Sequence, residues 1–156
     1  DKLEDAQFVT LTRQTVDAVD LADTIQEMQT NFVKVKDRLR KQGIKLVGIR
    51  KIEIKYNELS GKYHPHYHLI VDGLQNAQSL VCEWVSSYPE DVCNIQAQDV
   101  RKADKNAPIE LFKYFTKMLT DSGHFYPKEM DVIFKVMKGK RTFPTLWWNQ
   151  ETIRRY

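Results

Sequence analysis

Ile44 to Tyr56, IKLVGIRKIEIKY, followed after a short polar connection by Lys62 to Val71, KYHPHYHLIV, is the stretch on which the fold turns. Both runs alternate apolar and polar residues at the period of two that a half-buried strand requires. Asn57 to Gly61 reads as the connection and Asp72-Gly73 as the stop, so the two strands form a hairpin. Working outward, Gln7 to Thr12 (QFVTLT) is a β-branched strand, and Asp20 to Gln42 sets Leu21, Ile25, Met28, Phe32, Val35 and Leu39 at steps of three and four before Gly43. That second segment is a long amphipathic helix. Downstream, Leu74 to Ser87 predicts a helix ended by Tyr88-Pro89, and Cys93 to Arg101 a fourth strand. Pro108 stands near the start of a helix over Ile109 to Leu119, stopped by Asp121-Ser122-Gly123, and Pro127 opens another through Met137.

The order β-α-β-β-α-β is the split βαβ arrangement, ferredoxin-like or RRM-like, so the predicted class is α+β. Its antiparallel sheet takes helices on one face and leaves the other for a site. The tail, Arg141 to Tyr156 with Trp147-Trp148 and Arg154-Arg155, fits packing onto the core better than base stacking and is the segment least open to interpretation.

A chain of 156 residues, 42% hydrophobic, supports one ordinary core, so residues 1–156 are expected to form a single domain. Charged residues make up 29% and no apolar run approaches the length of a membrane span, which predicts a soluble protein. The start, Asp1-Lys2-Leu3-Glu4, has neither an initiator Met nor a signal-peptide layout, as expected of a piece cut from a longer chain. A net charge of +3 permits a nucleic-acid partner without demanding one. Cys82 and Cys93 match neither a zinc-ribbon nor a redox spacing and read as reduced packing residues of a cytosolic protein.

Three of the four histidines stand in the run Tyr63-His64-Pro65-His66-Tyr67-His68. On a strand, His66 and His68 point one way, and two neutral imidazoles that converge suit a divalent cation. On the preceding strand Ile52 and Ile54 face the core, which turns Lys51, Glu53 and Lys55 the other way and brings Glu53 opposite the histidine pair. Glu53 is therefore the expected third ligand. His64 has the right parity but ranks behind it, because Pro65 disturbs the strand. Cupins also carry His-x-His strands, but the long helix argues against an all-β barrel, and metal-dependent hydrolases on larger barrels need far more chain.

In Glu110-Leu111-Phe112-Lys113-Tyr114-Phe115-Thr116-Lys117, helical geometry turns Glu110 and Tyr114 only about 40° apart, and Lys117 about 60° from Tyr114. A phenol is a poor nucleophile at neutral pH and needs a nearby cation or a base, which Lys117, a metal ion and Glu110 could supply. Taken alone, the same face also fits an ordinary surface helix with a Glu-to-Lys ladder.

Phe8-Val9-Thr10-Leu11-Thr12, His64-Pro65-His66-Tyr67-His68 and Lys113-Tyr114-Phe115-Thr116-Lys117 together resemble the three motifs of the HUH endonucleases, in that family's order. The match is best to the single-tyrosine Rep proteins of rolling-circle plasmids. The resemblance implies an antiparallel sheet, a Mn²⁺ or Mg²⁺ ion, and sequence-specific nicking and joining of single-stranded DNA at a replication origin. Tyr114 would be the nucleophile, leaving a 5′-phosphotyrosine and a primer 3′-hydroxyl, and Glu110 matches the glutamate thought to activate water for terminal cleavage. It further implies a bacterial cytoplasmic setting and a host helicase and polymerase as partners. Lys117 would offset charge at the phosphate or phenolate, and Arg50, Lys51, Lys55 or Lys62 would line the DNA track. Relaxases and single-strand transposases share the metal motif but match the Glu110-to-Lys117 pattern less well. The rival from another class is an RRM-like single-strand binding module with no chemistry, whose binding would not need a metal.

Overall fold

The long helix shows most directly how sequence pattern becomes packing. In the computed structural model, which describes residues 5–113, 126–142 and 145–147, α1 runs Ala18–Lys41 and buries Leu21, Thr24, Ile25, Met28, Phe32, Val35 and Leu39 along one stripe. It ends in a Schellman motif: Gly43 adopts φ 82°, its amide donates to the Arg40 carbonyl, and the Ile44 amide donates to the Leu39 carbonyl. Only a residue that tolerates the left-handed region closes the turn in this way.

The strands are β1 (Ala6–Thr12), β2 (Gly48–Asn57), β3 (Lys62–Asp72), β4 (Asp99–Lys102) and β5 (Thr145–Trp147), and the other helices are α2 (Leu74–Ser86), α3 (Ala107–Phe112) and α4 (Pro127–Met137). They build one sheet in the order β4-β1-β3-β2-β5, and every ladder is antiparallel. Its first four strands stand in the split βαβ order, so the fold is α+β and ferredoxin-like. Strand alternation divides the sheet into two faces. Val9, Leu11, Ile52, Ile54, Tyr67, Leu69 and Val71 meet α1 and α2 in the main core, which Ile133 of α4 joins. Phe8, with Ile49 and Ile70 beside it, faces the other way and meets Ala107 and Leu111 in a second, smaller cluster. Thus α3 lies on the face opposite α1 and α2.

Two local departures from the predicted elements have physical reasons. The fourth strand begins at Asp99 rather than Cys93, because Ile95–Ala97 form a 3-10 turn in which the Asn94 side chain accepts the Ala97 amide. Asn competes with ladder bonding in this way. The end of β1 is satisfied instead by a side chain, the Thr12 amide donating to Gln98 Oε1 at 2.7 Å. From the uninterpreted tail, Thr145–Trp147 adds β5 to the free edge of β2, with a register shift at Gly48 and Ile49. A methyl group at Gly48 would collide with the Ile70 carbonyl, so the bulge there requires glycine. Trp148 and the residues beyond it lie outside the described residues. Among the described residues, no helix is long and apolar enough to cross a membrane.

Candidate metal centre

Strand β3 is buried on both sides, and its alternation sorts chemistry from packing. Tyr63, Tyr67, Leu69 and Val71 enter the main core, which turns His64, His66 and His68 to the opposite face. Register then selects their neighbours: His66 pairs with Thr12 on one side and Glu53 on the other, and His68 with Thr10 and Lys51.

Glu53, His66 and His68 each bring one ligand atom within 4.8 Å of the others. Glu53 Oε2 stands 2.8 Å from His68 Nε2 and 3.3 Å from His66 Nε2, and the two Nε2 atoms are 3.0 Å apart. These three edges fit one face of an octahedron: bonds of about 2.1 Å to a hard divalent cation set adjacent donors about 3.0 Å apart. Two imidazole nitrogens and one carboxylate oxygen on one side would leave the remaining positions to water or substrate.

Groups behind the cluster aim its donors. His66 Nδ1 lies 3.1 Å from the carbonyl of His64; a carbonyl only accepts, so Nδ1 carries a proton and Nε2 is the nitrogen turned to the cluster, where a cation would take the place of any proton it holds. Thr10 Oγ1 holds His68 Nδ1 at 3.1 Å, and the Phe8 ring packs against the His68 ring at 5.5 Å between centroids.

Burial and charge set the protonation states. Burial alone would raise the Glu53 carboxyl, but hydrogen bonds from His66 and His68, with the charges of His66 and Lys51, bring it well below the usual carboxylate range. Glu53 is therefore an anion. Burial lowers His68 below the ordinary imidazole range, although its bond to Glu53 acts the other way. His64 is lowered too, first by burial and then by the charges of His66 and Lys55. Lys51 is 2% exposed, with Nζ 3.7 Å from Glu53 Oε2. Lysines are seldom buried this deeply, and a buried charged group adds little stability, so this cluster reads as a site.

The other candidate residues fall in several places. His64 shares the face, its ring 5.3 Å from that of His66, but it stands outside the trio and contributes its carbonyl. Lys55 is exposed on the same face opposite His64, and Lys62 stands at the hairpin end opposite Asn57. Arg50 does not join them. It is in phase with Ile52 and Ile54, and its guanidinium lies on the helical side between the rings of Phe32 (4.1 Å) and Tyr67 (4.4 Å). Glu110 is on α3, where Oε2 takes a 2.7 Å bond from Arg101 Nη2. Tyr114 and Lys117 lie outside the described residues. Sequence reasoning missed Thr10 as the support of His68, Arg101 as the partner of Glu110, and α3 on the site face. Thr10 was accessible in principle, since it alternates with core-facing Val9 and Leu11.

Fold and site define a class: an antiparallel α+β sheet with a two-histidine, one-glutamate cluster on the face away from its two main helices. The chain is similar to "Protein rep" of Staphylococcus aureus, with 26% identity over 122 residues that cover 70% of this chain and 53% of that protein. It thus spans about half the length of the curated relative it matches. No family model matches the chain, and no solved structure matches it.

Proposed function

We propose that residues 1–156 are the catalytic domain of a plasmid replication initiator of the HUH class, which nicks and rejoins single-stranded DNA at a rolling-circle origin. The observation that carries this reading is the convergence of Glu53, His66 and His68 on the sheet face that also receives α3, the helix that carries Glu110, which stands shortly before Tyr114 in the sequence. Similarity to a protein named rep supports it.

Glu53, His66 and His68 would hold the cation, Mn²⁺ or Mg²⁺; the nitrogen donors suit Mn²⁺ better. When bound, it supplies Lewis-acid polarisation and orientation of the scissile phosphate. Tyr114 attacks the phosphorus in line, forming a tyrosyl phosphate at the 5′ end while the bond to the 3′ oxygen breaks and that oxygen takes up a proton. Lys51 and Lys117 offset charge at the phosphate and phenolate, and Lys55 and Lys62 contact the strand on either side. Glu110 later accepts a proton from the water that hydrolyses the linkage. The setting is the bacterial cytoplasm, with host helicase and polymerase taking over the opened strand.

The test is incubation with Mn²⁺ and a single strand spanning the cognate origin. A covalent protein–DNA adduct is expected, abolished by a chelator and by Tyr114→Phe, with DNA binding retained in the mutant. Nicking without an adduct, or an adduct mapped to Tyr67 or Tyr126, would overturn the tyrosine assignment. DNA binding with neither nicking nor an effect of chelator would make the chain a binding module.

A further inference from the structure

Glu110 is not free to act where the structure places it. Its Oε2 is bound at 2.7 Å by Arg101 Nη2, and Arg101 is itself held: its guanidinium lies over the Phe8 ring at 4.7 Å, and Asp99 Oδ2 is 3.8 Å from its Nε. Phe8 in turn carries Ala107 and Leu111 of α3 and packs on the His68 ring. Arg101 pairs with Phe8 across the β1–β4 ladder, and β1 separates it from β3. Its backbone therefore stands two strand spacings, about 10 Å, from the histidine strand. The carboxylate of Glu110 is thus held toward the β4 edge of the sheet, while the cation donors gather between β3 and β2. Arg101 and Glu110 are both about half exposed, 47% and 50%, so the pair adds little stability and opens readily.

We propose that Arg101 is a positioning residue that withholds Glu110 from the tyrosyl–DNA linkage, so that nicking outpaces hydrolysis and the adduct survives long enough to be rejoined. The proposal rests on the function proposed above. In the step it governs, water oxygen bonds to phosphorus and one water proton passes to the Glu110 carboxylate. The phosphorus–oxygen bond to tyrosine breaks, and the phenolic oxygen receives that proton, leaving free tyrosine and a 5′-phosphate end. While Arg101 holds Glu110 Oε2, that oxygen's lone pair is engaged by the guanidinium and is not offered to the water. The fraction of time the ion pair is open then scales the rate of hydrolysis.

Single-turnover reactions on an origin strand separate adduct formation from adduct hydrolysis. Arg101→Gln should speed hydrolysis several-fold and leave formation, Mn²⁺ affinity and thermal unfolding unchanged. Arg101→Lys, which keeps a cation on Glu110, should restore slow hydrolysis, and Arg101→Gln with Glu110→Gln should be as slow as Glu110→Gln alone. If Glu110→Gln slows hydrolysis while Arg101→Gln leaves it unchanged, the withholding role is wrong and the function stands. Formation and hydrolysis falling together in Arg101→Gln would make Arg101 a mere anchor of α3. If Glu110→Gln hydrolyses as fast as the parent, Glu110 is not the base, and the inference fails with that assignment.

Discussion

Both histidine donors of the cluster depend on a supporting group behind them, and the side-chain support is testable by substitution. His68 offers Nε2 because Thr10 holds its other nitrogen, whereas His64 acts on the site through a carbonyl that any residue would provide. His68→Ala should therefore abolish Mn²⁺ binding, while His64→Ala changes it little; Thr10→Val should lose about 10- to 100-fold in affinity, the usual effect of removing such a support. Isothermal calorimetry measures all three. Because burial lowers His68, protons compete with the cation for that nitrogen only at a pH below that of a free imidazole, so the affinity His68 supplies should hold as pH falls to about 6.5 and drop at more acid values. A fall already under way between pH 8 and 7 would contradict this. The shared face of Glu53, His66 and His68 was legible because a strand has only two faces. The same rule puts Arg50 in phase with Ile52, and its guanidinium lies against Phe32 and Tyr67 rather than beside the cluster, which its charge alone does not indicate.

At the scale of elements, the hairpin β2–β3 positions the donors and α3 is laid across the same face by a small cluster. Leu111 is fully buried among Phe8, Ala107, Ile49 and Ile70. Leu111→Ala should cost about 2–4 kcal/mol at that cluster and lower nicking strongly, with Mn²⁺ affinity intact, since no donor of the cluster comes from α3. Calorimetry and a nicking assay on the same preparation decide it; equal losses in both would mean that α3 shapes the metal centre itself. The long helix, the hairpin and the helix from Pro127 to Met137 were legible because period and punctuation agree there. The position of α3 was not, since its side of the sheet is set by contacts with Phe8 far away in the chain. Nor was the 3-10 turn at Ile95–Ala97, where one Asn side chain outcompetes a weak strand.

For the whole molecule, a net charge of +3 argues against a blanket electrostatic grip on DNA and for a few placed contacts. Binding to single-stranded DNA should weaken with salt, and Lys55→Ala should reduce the slope of log K against log salt by about 0.7, the share of one phosphate contact. An unchanged slope would remove Lys55 from the track. The order of the four leading strands followed from the order of elements, because few topologies accommodate β-α-β-β-α-β; the fifth strand did not, since three residues at a sheet edge carry no pattern of their own. What joins residue, element and fold is the claim that this sheet exists to hold a divalent cation against a DNA phosphate. Crystals grown with Mn²⁺ and measured for its anomalous scattering test it most directly. The account predicts one strong peak within about 2.0–2.3 Å of Glu53, His66 Nε2 and His68 Nε2, and no peak there, or a peak whose ligands omit Glu53, would contradict it.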